Sequence, residues 1–311
     1  MFDGLCIVAK QTAVLFLLMA VGMGVRRFGV FDGQSVKRIA DFVLAVVTPC
    51  LIVTSFQRPF DPGVLKGVEL AFAAAVFSHL VGMLLARLAV RDREESRRRA
   101  LRFATVFSNA GFMGIPLQYA VLGPDGVFYG SVYVVVFHLV CWTYGVWEIR
   151  GGFGGTGVAR ALVNPGIVGI VAGLPFFLFS AKLPPVLAQP VKMTGDLYTP
   201  LAMLVLGFHL AGAKFAPALS RGGTYAVLAL RHLVVPAVVL AALALVPGIG
   251  RAVGVAAVIP AAAPVGASVT VFSVRYSGDA EFPTALVAVS TLLSVLTLPP
   301  VVSIAMAVFS G

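Results

Sequence analysis

This chain is short of charge, and of acid in particular. Only 12% of its 311 residues are Asp, Glu, Lys or Arg, and its 13 acids face 23 bases. A soluble protein carries about 25% charged residues, so a water-exposed globular fold is excluded. Cysteine is equally scarce. Cys6, Cys50 and Cys141 lie far apart in apolar runs, which excludes a disulfide framework and a zinc site. They read as small buried hydrophobes. A Walker A loop is missing, and with it an ATP-driven mechanism. Metal-ligand spacings, a nucleophile elbow and paired catalytic aspartates are missing too, so no enzyme, cofactor or metal is expected. The longest hydrophilic stretch, Arg91 to Arg99, is too short to fold alone. Period-two alternation is also lacking, which argues against a β-barrel.

What is there is apolar. Hydrophobic residues make up 59% of the chain, and the mean hydropathy is +0.98. A membrane-spanning helix needs about 20 such residues. Ten runs qualify, at roughly 5–25, 38–57, 64–88, 103–121, 126–147, 162–180, 190–213, 224–246, 252–274 and 283–308. The expectation is an all-α polytopic membrane protein of ten helices. The first run is too long for a signal-peptide core and lacks a basic flank and a small-residue cleavage site, so it reads as a retained helix.

A net charge of +10 could suggest nucleic acid, but its distribution says otherwise. With the N-terminus outside, seventeen Lys and Arg fall in the inner set of loops, from Arg26 to Arg275, and six in the outer set. The positive-inside rule then puts both termini on the non-cytoplasmic side. The basic excess orients the chain and attracts anionic lipid at its cytoplasmic face. The pair Arg231-His232 reads as snorkelling to the interface.

The halves echo each other. Thr48-Pro49 in the second run matches Thr199-Pro200 in the seventh, and Gly123-Pro124-Asp125 matches the turn Gly278-Asp279-Ala280. The fourth run is interrupted by Gly111, Gly114 and Pro116, the ninth by Pro264 and Gly266. Each offset is about 150 residues. Five helices per half is an odd number, so the second half, 151–311, inserts upside down relative to the first, 1–150. Inverted repeats with one discontinuous helix each are a transporter design, with the site at the midplane where the breaks meet.

The fourth run supplies the leading candidate residue. Asn109 offers two donors and an acceptor at the break, and a structural role in capping or cross-helix bonding is the alternative. Backbone N–H groups freed at Gly111, Gly114, Ile115 and Pro116 form a half-helix start that favours an anion. Pro264, Val265 and Gly266 do the same from the ninth run, and Ser268 adds a hydroxyl. His138, midway along the fifth run, is suited to hold substrate or carry a proton. His79 in the third run is a second candidate for proton coupling. His209 is a weaker one. Carboxylates are nearly absent from helix centres, so no sodium site is evident.

The stretch Asn109-x-Gly-x-x-Gly-Ile-Pro116 resembles the fourth-helix motif of the auxin efflux carrier family, which includes plant PIN and PIN-like carriers and bacterial members described as malate or malonate permeases. Asn164-Pro165, Pro264 and Leu298-Pro299 are similar to the family as well, and the likeness covers essentially the whole chain. It implies two inverted five-helix repeats with helices four and nine crossing at their breaks. It implies a dimerising scaffold of helices 1, 2, 6 and 7, and a transport domain of helices 3–5 and 8–10 that moves past it as an elevator. A fifth-helix amide of the plant carriers matches His138. Two departures stand out. Ala267-Ser268-Val269 lacks the plant proline, and Glu69 has no basic partner where the plant third helix carries an acid–base pair. The long loop of large PIN proteins is missing as well.

The expectation is therefore a secondary carrier or uniporter for a small organic anion, a carboxylate such as an auxin-like or dicarboxylate compound. It would sit in a bacterial inner membrane as a homodimer, without nucleic acid or cofactor. A sodium-coupled importer resembling the bile acid symporters is the same-class alternative. A transporter-like sensor and an intramembrane enzyme are the remote ones.

Overall fold

The computed structural model describes residues 2–152, 165–276 and 281–309. Among these, every regular element is a helix. Asn164 and the turn at 278–280 lie outside the described residues, as does Arg160. Six helices are long and apolar enough to cross a membrane: the first, then Gly33–Phe56, Pro62–Ala89, Pro124–Arg150, Gly222–Ala244 and Glu281–Val308.

In chain order, α1 is Phe2–Arg27, α2 Gly33–Phe56 and α3 Pro62–Ala89. The predicted fourth run is split into α4, Glu95–Val106, and α5, Ala110–Leu122. Next come α6, Pro124–Arg150, and α7, Pro165–Leu178. The seventh run is α8, Pro185–Asp196, leading into α9, Tyr198–Ala211. After the short α10, Ala216–Leu219, comes α11, Gly222–Ala244. The ninth run is split into α12, Arg251–Ala262, and α13, Ser268–Tyr276. The chain closes with α14, Glu281–Val308.

Proline decides the local shape of several helices. It cannot donate to the carbonyl four residues back. Before Pro49, Pro116 and Pro236 the backbone widens into a single i→i+5 turn, at Val43–Val47, Ala110–Gly114 and Leu230–Val234. Such wide turns absorb the missing bond without ending the helix. Gly123, at φ 63°, turns the chain from α5 into α6, as the Gly-Pro-Asp signal predicts.

Two packing groups emerge. In one, α1 lies along α9 while α7 and α8 pack on the second half of α2. Gly207 makes the first contact possible, because a Cβ there would run into the backbone of Met19. In the other, α3, α4, α6, α11, α12 and α14 surround the two breaks. The groups touch where α1 meets α14 and α2 meets α6. Of the cysteines, Cys141 is buried, Cys50 half-buried and Cys6 exposed, so the buried reading holds for Cys141 alone.

Candidate functional site

The two interrupted helices meet at their interruptions. Phe107, Ser108 and Asn109 leave the helical path, Phe107 in an extended conformation, and Ser108 pairs with Val265 as a single antiparallel bridge. The Asn109 N–H donates to the Pro264 carbonyl at 2.7 Å, and the Gly266 N–H donates to Phe107 at 3.0 Å. These bonds satisfy backbone groups that hydrocarbon could not. Gly266 permits the approach, since a Cβ would stand 2.7 Å from the Ser108 carbonyl oxygen.

The break lies earlier than the glycines and proline suggest. It spans Phe107–Asn109, whereas Gly111 and Gly114 already belong to the wide first turn of α5 and Pro116 to its continuation. Proline is tolerated near a helix start, where its N–H would be unpaired anyway. The Asn109 carbonyl accepts from Met113 and Gly114. Its side chain does not cap α5, and its buried Nδ2 has no hydrogen-bond partner among the described residues.

A cavity of about 320 Å³ opens beside this crossing, walled by α2, α5, α6, α7 and α9. Gly111, Ile115 and His138 line it. Leu51, Ile52 and Val134 supply apolar wall, and Asp41, Thr48, Ser131 and Tyr198 its polar points. Asn109, Gly114 and Pro116 are buried and do not line it. Pro264, Val265 and Gly266 are buried in the crossing, and half-buried Ser268 follows them; none of the four lines the cavity. His79 is buried elsewhere, its Nδ1 2.7 Å from the Ala75 carbonyl and its ring against Tyr133. His209 is exposed.

The clearest correction concerns Arg231 and His232. Neither snorkels: each is 1% exposed, midway along α11. The Arg231 guanidinium donates to the Thr105 carbonyl at 3.1 Å and to Ala261 at 2.7 Å, with Val106, Pro260 and Ala263 at 3.4 Å. It thus caps the C-terminal ends of α4 and α12 together. His232 reaches Ser290 at 2.8 Å and Thr297 at 2.9 Å, and the Ser290 hydroxyl accepts the Val265 N–H at 2.9 Å. Removing Arg231 from the inner set leaves sixteen basic residues against six.

At the charge-rich end, Glu148 is buried between Arg87 at 3.3 Å, Arg102 at 3.9 Å and the Tyr144 hydroxyl at 3.0 Å. It ties the ends of α3, α4 and α6 together. Among the described residues, no group of three His, Cys, Asp or Glu is placed to hold a metal ion.

Long apolar helices around two crossing half-helix pairs, with a cavity beside the crossing, define a polytopic membrane protein. Comparison with known proteins agrees: the family model described as membrane transport protein matches residues 7–155 and again 153–302. The chain belongs to this family, the auxin efflux carriers. It is also similar to an uncharacterized transporter of Methanothermobacter thermautotrophicus, 24% identical over 301 residues, covering 92% of this chain and 94% of that protein.

Proposed function

We propose that this membrane transport protein is a secondary carrier or uniporter of a small organic anion, with a carboxylate as the group it recognises. The observation that carries the reading is the cavity at the helix crossing, whose wall includes the start of α5 at Gly111 and the imidazole of His138. A helix start offers N–H groups and about half a positive charge to an anion. Asn109, two residues before Gly111 and with an unpartnered amide nitrogen, completes the donor set when a substrate reaches the crossing. Ile115 and the apolar wall take its body. His138, and more remotely His79, are the groups suited to carry a coupled proton.

The architecture that fits this function is two inverted five-helix repeats, 1–150 and 151–311. The double match of the family model and the pairing of one broken helix from each half support it. The packing group of α1, α2, α7, α8 and α9 is the scaffold and dimer surface of this reading. The group around the breaks is the moving domain of an elevator. The cavity lies between them. A bacterial inner membrane is the location of this reading, from the Ala-, Val- and Arg-rich composition, and the excess of basic residues in the inner set of loops supports both termini outside. An anion leaving a cell with a negative interior gains about 2.3 kcal/mol per charge per 100 mV, so export needs no coupled ion.

Counterflow in proteoliposomes tests this. Vesicles preloaded with unlabelled monocarboxylates or dicarboxylates, indole acetate among them, are expected to accumulate the labelled compound of at least one such anion. Tight binding without exchange would make the protein a sensor, and dependence of uptake on sodium would make it an importer of the symporter kind.

A further inference from the structure

Arg231 is a full positive charge buried in the middle of a membrane protein, and no carboxylate among the described residues pairs with it. Such a charge persists only where something offsets it. Here the offset is the ends of two helices. Each C-terminal end carries about half a negative charge on its free carbonyls, and the guanidinium touches the last carbonyls of both α4 and α12. One arginine therefore cancels two helix ends. The starts of α5 and α13 at the same crossing, about half a positive charge each, are left uncancelled. Without Arg231 the four ends would sum to zero and the crossing would hold no preference for an anion.

The cavity limits the anion further. Its lining has one carboxylate, Asp41, one imidazole, His138, and no Lys or Arg. A carboxylate at the start of α5 meets the positive end. A second carboxylate on the same molecule meets apolar wall or the repulsion of Asp41.

We propose that Arg231, by neutralising both C-terminal helix ends, sets the charge of the crossing to accept a single negative charge, so that the substrate is a monocarboxylate with an apolar body and dicarboxylates are rejected. Arg231 is a positioning residue and touches no substrate. This rests on the carrier reading above.

The test uses the full-length protein in proteoliposomes and bodies matched in all but charge: phenylacetate, phenylmalonate and phenylacetamide, with butyrate, succinate and butyramide as the aliphatic set. Wild type is expected to exchange a monocarboxylate and to prefer it over its dicarboxylate by about tenfold or more, the scale of one unit charge in a poorly screened site. R231Q is expected to weaken monocarboxylate competition by roughly tenfold while leaving the neutral amide of the same body unchanged. R231K is expected to stay close to wild type. A purely structural arginine would lower acid and amide binding alike, and that result overturns the proposal. Should R231Q fail to insert, the wild-type ratio and R231K decide. Equal exchange of mono- and dicarboxylates overturns the charge argument and leaves the carrier standing; exchange of neither class brings down both.

Discussion

Asn109 and Arg231 are two polar residues at one crossing with opposite circumstances. Arg231 directs its Nη1 and Nη2 donors at five carbonyls, leaving only its Nε without a partner among the described residues, whereas the Asn109 Nδ2 bonds to nothing described. A buried unpaired amide costs about 1–3 kcal/mol, which is tolerable where a ligand will satisfy it. Asn109→Ala is therefore expected to leave the thermal midpoint of the detergent-solubilised protein unchanged or slightly raised, while substrate exchange falls by roughly ten- to a hundredfold. A lowered midpoint together with wild-type exchange would make the amide structural. Asn109 was legible in the sequence because a polar residue at an interruption in an apolar run has few reasons to be there. Arg231 was not. Its partners lie about 30 and 126 residues away, and they are backbone carbonyls, which every residue has and no sequence pattern marks. An arginine beside a histidine in a basic-inside protein therefore looks like an interfacial charge.

Elements were easier to read than their breaks. Hydropathy located the runs because burying a backbone in lipid forces helix over its full length. Glycine and proline located the interruption only to within a turn. Pro116 disturbs α5 near its start, where a wide turn absorbs it, and the true gap at Phe107–Asn109 is set by pairing with Pro264 and Gly266 on a remote helix. The start of α4, which the hydrophilic stretch 91–99 concealed, belongs to the same lesson. There Asp92 accepts the Glu94 N–H at 2.9 Å and both Nε and Nη2 of Arg97 at 2.9 Å. The Arg97 hydrogen bond holds the Asp92 carboxyl below its ordinary range. A carboxylate depressed in the folded state stabilises fully above its unfolded value, near about pH 3.9, and loses that contribution as pH falls through the lower folded value. Asp92→Asn is thus expected to lower the thermal midpoint by a constant amount from pH 7 to 5. The gap to wild type should close only in the acid range below about pH 4. Melting curves of both proteins across pH 7 to 3 check this, and a gap that closes already near pH 6 would assign the stabilisation to another group.

On the scale of the whole molecule, the cavity lies between the two packing groups rather than within either. Its walls on one side are α2, α7 and α9 and on the other α5 and α6. Ala45 and Val134 stand on these opposite walls. If transport carries the crossing past the scaffold, joining those walls must stop it. If transport only opens and closes a gate elsewhere, joining them need not. The measurement starts from a variant without native cysteines, carrying Ala45→Cys and Val134→Cys together. A short bifunctional thiol reagent is then expected to abolish substrate exchange in proteoliposomes. Each single cysteine with the same reagent is expected to keep most of its exchange, and reduction of a cleavable linker should restore it in the pair. The division into two packing groups depends on which helix packs on which, a matter of side chains meeting across more than a hundred residues. Full exchange in the cross-linked pair would rule out a sliding domain and leave the two packing groups as one rigid body around a gated pore.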